Sequence, residues 1–224
     1  MNKPIQELLD ESLAIKEKHT RSGCFSPSSF GACFRKQYWN RLDVTPINPP
    51  DARSLRIFAV GHIFHSFIQD KILADNPDIK KEVLIKNKEG DVLGYADLVN
   101  ENEVIDIKSQ HSKSFWWMTQ KDCDIKKEKF NNWLQVMWYA QELGKKYARL
   151  VFVSKDDLCI QEYKLPFDEY WKNEILKELT ILRGFWEKKE LPPAEPRYQY
   201  SKKEGKPKEC ELYCQFRDLC YKTK

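Results

Sequence analysis

Two short apolar runs, Asp91 to Val99 and Glu103 to Lys108, are rich in Val, Ile, Leu and Tyr and are separated by Asn100-Glu101-Asn102. Such runs read as strands and the polar triplet as a hairpin turn, so the two must lie side by side in a sheet. They carry Gly94-Tyr95-Ala96-Asp97 and Asp106-Ile107-Lys108. Side chains two apart on a strand point the same way, so Asp106 and Lys108 share a face while Ile107 turns to the other. Asp97, on the neighbouring strand, can join them. Two carboxylates and one ammonium then converge.

The chemistry that wants this trio is attack of water on a phosphate: a hard divalent cation takes oxygen ligands while an amine positions the water. Mg²⁺ or Mn²⁺ suits such ligands better than zinc. The ordinary use of an acid-x-lysine strand is a solvated ion pair, so the rest of the chain must decide between the two.

A chain of 224 residues with 41% hydrophobic content can bury one full core, and no apolar run is long enough to span a bilayer, so no membrane partner is expected. Met1 to Thr20 places Ile5, Leu8, Leu9 and Leu13 at helical spacing among charges, an amphipathic helix rather than a signal sequence, which implies a cytoplasmic protein. The net charge of +4 excludes a uniformly basic coat. Basic residues nevertheless cluster at Arg35, Lys36 and Arg41 and again at Arg197, Lys202, Lys203, Lys206 and Lys208, as phosphate neutralisation or a solvated loop would both produce.

Ser26-Pro27 reads as a helix start leading into Phe30 to Asn40, and a longer helical pattern covers about Asp51 to Ala74. Three strands follow as a meander, Lys81 to Asn87 and the two above. Ser109 to Asp124 reads as a loop, Ile125 to Leu143 as a helix stopped by Gly144, Ala148 to Ser154 and Leu158 to Leu165 as strands, and Phe167 to Lys189 as a long helix. Pro192 to Pro196 reads as a stiff linker. The expected class is α/β with a mixed sheet flanked by helices.

Two helical pairs stand out. Gly61 and His65 lie one turn apart, where the glycine permits close helix packing and the imidazole can ligate a metal or sit satisfied in a core; His62 reads as surface. Gln135 and Tyr139 project together from an otherwise apolar helix face, and an amide and a phenol there need partners such as a lysine or a phosphate. Seven cysteines in a chain without secretory features argue for metal binding or burial over disulfides. Cys210, Cys214 and Cys220 crowd the end of the sequence and need a fourth ligand, Cys33 or else Cys24. One distant and three local thiolates tilt toward a [4Fe-4S] cluster rather than zinc, which usually draws on two close pairs. Cys159 reads as a buried strand residue, and Cys123 lies in a loop.

Taken together these residues resemble the RecB-type nucleases of the PD-(D/E)xK superfamily, in the iron-sulfur branch that includes the CRISPR-associated Cas-four proteins and the AddB nuclease domain. Ser26 to Phe30 through Cys33 to Trp39 is similar to that family's cysteine-bearing first helix. Gly61 to His65 resembles its G-x-x-x-H, Gly94 to Asp97 its first acidic motif, Asp106-Ile107-Lys108 its D/E-x-K, and Gln135 to Tyr139 its Q-x-x-x-Y. Each motif is weak alone; their shared order carries the resemblance. It implies a restriction-endonuclease-like single domain over 1–224, with 51–191 as nuclease core and 1–50 plus 192–224 joined by the cluster.

The resemblance further implies that His65, Asp97, Asp106 and the carbonyl of Ile107 hold Mg²⁺ or Mn²⁺, and that Lys108 orients the water. Gln135 and Tyr139 would support Lys108 or the DNA, and Cys33, Cys210, Cys214 and Cys220 would hold the [4Fe-4S] cluster. Two departures are visible. Three residues rather than two separate Cys210 from Cys214, and Ser66 replaces the acid that often follows the histidine. The implied activity is a DNA exonuclease, often preferring single strands, in recombination, repair, phage DNA metabolism or CRISPR spacer acquisition, with DNA-processing proteins as possible partners. A non-catalytic DNA-binding or scaffold subunit is the alternative. Arg35, Lys36, Lys113, Trp116 and Trp117 are the candidate DNA contacts, the indoles as stacking surface or as core.

Overall fold

The computed structural model describes residues 3–14, 23–195 and 208–223. Helix α1 spans Ile5–Ala14, and a single 3-10 turn, Pro27–Ser29, precedes α2, Phe34–Arg41. Helix α3, Ala52–Asp75, is capped by the Asp51 carboxylate, which accepts from Ser54 N at 2.7 Å. Then come β1 Lys80–Lys86, β2 Leu93–Val99 and β3 Glu103–Gln110. Helices α4 Ser112–Met118, α5 Ile125–Glu128 and α6 Phe130–Glu142 lead to β4 Tyr147–Ser154 and β5 Ile160–Pro166. The long α7, Glu169–Lys188, and two short helices, α8 Lys208–Tyr213 and α9 Arg217–Lys222, complete the described chain.

The strands form one sheet in the order β1-β2-β3-β4-β5, antiparallel throughout except for the parallel pair β3 and β4. A parallel pair requires a crossover, and α4 to α6 supply it. The result is the mixed sheet that the sequence predicts. One face packs against α6 and α7 through Trp133, Leu134, Trp138, Leu150, Phe152 and Trp171; the other carries Leu98, Ile107, Val151 and Val153 against Phe64, Ile68 and Ile72 of α3. No helix among the described residues is long and apolar enough to cross a membrane.

The two ends of the described chain meet. Phe216 is buried against Trp39 at 5.3 Å between ring centroids, and Gln215 Nε2 donates to Asn40 Oδ1 at 2.8 Å. Arg41 is sandwiched between the rings of Phe25, at 4.3 Å, and Trp186, at 3.8 Å, which ties α2 to α7.

Several expectations are corrected. The helix expected from Phe30 starts at Phe34, because Gly31 takes a left-handed φ of +73° and Asn131 packs where a side chain would stand. Ser26 stands at the cap position of the 3-10 turn but its side chain makes no cap hydrogen bond there; its hydroxyl lies 2.9 Å from Ser28 Oγ. The segment expected as a loop contains α4, whose start is capped by the His111 imidazole accepting from Lys113 N at 3.1 Å. The helix expected from Ile125 breaks at Lys129, which leaves helical geometry at φ −119° and ψ 30°. Cys159 is exposed, since β5 begins only at Ile160 and Leu158 is left-handed at φ 62°. Residues 15–20 of the expected first helix, Pro196, Arg197, Lys202, Lys203, Lys206 and the Lys208 side chain lie outside the described residues.

Candidate active site at a fork in the sheet

Strands β2 and β3 pair at Leu98 with Ile105 and at Val99 with Val104, and then part. Asp97 and Asp106 are the first residues of each strand past the last paired rung. The Asp97 carboxylate closes the gap, accepting from Ile107 N at 2.6 Å in place of a ladder partner. In an extended strand the N–H and C=O of one residue point to the same edge, so the Ile107 carbonyl opens onto the same fork.

Asp106 is 1% exposed and faces Lys108 Nζ at 2.9 Å through Oδ2. That oxygen accepts no hydrogen bond of ordinary geometry, while Oδ1 accepts from Gln135 Nε2 at 3.1 Å. Gln135 also accepts from Lys108 Nζ through Oε1 at 3.1 Å, and its Nε2 lies 3.3 Å from the Tyr139 hydroxyl. One amide from α6 thus fixes both the acid and the ammonium of β3.

Burial pushes the Asp106 carboxyl up, Lys108 pulls it back and Asp97 raises it again, leaving it at about 6. Burial works against the Lys108 ammonium, but Asp106 and Asp97 outweigh it and hold the amine above its ordinary value. Lys108 is therefore a proton donor at neutral pH. It can hold a water or a phosphate oxygen.

From the α3 side, His65 Nδ1 stands 3.7 Å from Asp97 Oδ2. Gly61, one turn earlier, faces β3: a Cβ there would lie 3.3 Å from Ser109 Oγ. One turn later, Gln69 is buried and donates to the Asp97 backbone carbonyl at 3.2 Å and to Glu82 Oε1 at 2.8 Å. The sequence reading missed Gln69, although Gly61, His65 and Gln69 recur at intervals of one helical turn. Glu82 is held at φ 49°, a left-handed conformation unusual for a strand residue.

The donors at the fork suit a hard dication. Among the described residues no three His, Cys, Asp or Glu side chains are gathered as a ready metal cage. Mg²⁺ seldom needs one, because it keeps several waters and takes only one or two carboxylates from a protein. Asp97 and Asp106 provide those, with the under-bonded Asp106 Oδ2 available.

Burial raises the Cys214 thiol, Lys36 lowers it, and Cys210 and Cys33 raise it as neighbours; Cys220 packs beside Cys214 against Phe216. Cys24 is engaged elsewhere, 3.5 Å from the Gly90 carbonyl. Cys33, Cys210, Cys214 and Cys220 lie in one region without converging into a ligand group among the described residues. Lys36 faces the thiols. Arg35 is buried, donating to Pro192 O at 2.7 Å and reaching Cys220 Sγ and Thr223 Oγ1. Its guanidinium is thus spent inside the protein, which corrects its expectation as a surface contact.

No protein-family model and no curated protein matches the sequence. Among solved structures, the fold aligns with that of LHK-Exo, an alkaline exonuclease from Laribacter hongkongensis, at a TM-score of 0.56 and 15% identity over 82% of this chain and 93% of that one. This chain shares its fold with an exonuclease. The same protein solved in complex with dAMP aligns at 0.54 and 16% identity, over 75% and 89% of the two chains. The crystal structure of SSO0001 aligns at a TM-score of 0.56 and 18% identity, over 98% of both chains. At these identities the likeness shows the fold, and the chemistry rests on the fork.

Proposed function

We propose that the fork is the catalytic centre of a divalent-cation-dependent deoxyribonuclease of the PD-(D/E)xK type, an exonuclease that degrades DNA ends with preference for single strands. The carrying observation is the pinned pair, Asp106 and Lys108, bridged by Gln135 at 3.1 Å on each side. A solvated ion pair needs neither a buried acid nor an amide clamped across it. The alkaline exonuclease neighbour, solved with a deoxynucleotide, supports the same reading.

Asp97, Asp106 and the Ile107 carbonyl would hold Mg²⁺ or Mn²⁺, with His65 beside Asp97. That ion would supply Lewis acidity to the scissile phosphate and its water. The chain's own residues do the rest. Lys108 donates a hydrogen bond to the attacking water or to a phosphate oxygen and sets its direction. Gln135 holds Lys108 and Asp106 in register by bonding both, and Tyr139 braces Gln135. Gln69 fixes the backbone carbonyl of Asp97 and so the angle at which its carboxylate enters the fork.

Cys33, Cys210, Cys214 and Cys220 would carry an iron-sulfur cluster that fastens the chain ends, supported by the neighbourhood that Cys33, Cys210 and Cys214 share with Lys36. A role in recombination, repair, phage DNA metabolism or spacer acquisition follows from the same reading.

The deciding experiment incubates purified protein with end-labelled single-stranded DNA and Mg²⁺ or Mn²⁺, beside Asp106→Ala and Lys108→Ala. Wild type should shorten the DNA and both variants should fail. Equal degradation by all three, or by none with either metal, refutes the assignment.

A further inference from the structure

We infer that α4 is a stacking ledge for the unpaired bases of a single-stranded DNA substrate, set just beyond the fork, an inference that rests on the nuclease reading of that fork. Seven residues rarely make a stable helix alone, yet α4 is anchored along its length. Phe115 and Met118 are buried beneath it, Asp156 Oδ2 accepts from Ser112 N at 2.8 Å, and Tyr163 Oη donates to Met118 O at 3.1 Å. From this fixed base Trp116 and Trp117 stand 60% and 62% exposed.

Phe115 and Met118 already satisfy the core, so the indoles contribute little to folding and leave large apolar surfaces in water. Lys113 lies one turn before both and on their face. It makes no ion pair among the described residues, and exposed Lys121 and Lys126 follow, against Asp122 and Glu128. Rigid aromatic faces beside an unpaired ammonium fit a base stacked on an indole with its phosphate at the cation. In a duplex the bases are stacked inside, so the ledge selects unpaired ones.

Gln110 joins ledge and fork. It is two residues past Lys108 on the same face of β3, and its Oε1 accepts from Ser114 Oγ of α4 at 2.9 Å and from Lys129 Nζ at 3.0 Å. The backbone path from Lys108 to Trp117 is at most about 20 Å, from strand and helix rises. Nucleotides held on the ledge are thus within a short span of the reacting phosphate.

The test is equilibrium binding in EDTA, where nothing is cut, of labelled oligothymidylate and of a blunt duplex. Wild type is compared with the double variants Trp116→Leu/Trp117→Leu and Trp116→Phe/Trp117→Phe. Leu keeps apolar bulk and loses the ring; Phe keeps a ring. The Leu pair should lower single-strand affinity relative to duplex affinity by at least about tenfold, and the Phe pair should restore most of it. An unchanged ratio in the Leu pair overturns the ledge, and unchanged binding to both DNAs would assign the indoles to a protein partner. Failure here leaves metal-dependent cleavage by the fork standing; binding that follows the rings without any cleavage keeps the ledge and removes the nuclease reading.

Discussion

The α-carbon of Gly94 lies so close to Tyr139 that a methyl group built on it would stand 2.8 Å from the hydroxyl oxygen and 2.9 Å from Cε1. Both contacts are shorter than packed carbon and oxygen tolerate. The glycine of β2 is thus shaped by the phenol of α6, and the phenol in turn braces Gln135.

Gly94→Ala should therefore destabilise the protein by about 1–3 kcal/mol, the usual cost of overpacking a core. It should also lower nuclease activity by shifting Tyr139. Pro27 Cδ would lie 3.0 Å from the same methyl, so a shift of the tyrosine alone would not relieve all of the crowding. Urea unfolding checks this, with Gly94→Ala/Tyr139→Phe as control. Removing the hydroxyl should recover part of the loss, and an additive pair would show the two residues do not meet.

Gln135→Leu should cost activity on the order of tenfold to a hundredfold, typical of residues that orient metal-site side chains. The loss should appear in turnover more than in DNA affinity, because the amide acts through Asp106 and Lys108. Gln135→Glu should be worse, placing a carboxylate against Asp106 Oδ1. Single-turnover rates beside binding constants in EDTA separate these effects; an equal loss in both would assign Gln135 to substrate binding.

The pairing of Asp106 with Lys108 was legible because a strand repeats every two residues, and that of Gln135 with Tyr139 because a helix brings residues four apart together. Their convergence on one another was expected through the family resemblance; what the sequence did not show is where β2 and β3 part company, which lets the Asp97 carboxylate take the Ile107 N–H. No residue type marks that rung. Gln69 was overlooked because a lone amide in an apolar helix carries no sign of the strand carbonyl it will meet. The start of α4 was missed because its cap is His111, outside the usual Ser, Thr, Asp and Asn set, and Cys159 was misplaced because Leu158 turns left-handed ahead of β5.

Anaerobically purified protein should be brown, with visible absorbance that disappears in Cys33→Ala and Cys214→Ala. Cys24→Ala should retain the colour, because that sulfur faces the Gly90 carbonyl. Metal analysis is the check. Colourless protein with stoichiometric zinc, or colour lost with Cys24 and kept without Cys33, would overturn the ligand set.

In EDTA, the stability of the metal-free protein should carry the mark of Asp106. Its folded carboxyl sits near 6 against an ordinary 3.8, with burial the main cause. Between those values the folded state holds a proton that the unfolded state has released, so this group's contribution falls as pH rises from about 4 to about 6 and is flat above. The size is on the order of 3 kcal/mol if Asp106 alone is responsible. Lys108 does not contribute in this window, since it stays protonated in both states. Asp91 and Glu103, held below their ordinary values by Arg183 and by Arg149 with Lys164 against the opposing effect of burial, slope the other way at lower pH. The difference between wild type and Asp106→Asn removes those shared terms. Asp106→Asn should be the more stable protein above pH 6, with the gap closing as pH falls to 4, measured by urea unfolding at each pH. A constant gap would mean that the buried acid is already ionised at pH 4, and that Lys108 holds it far more tightly than the fork's burial opposes.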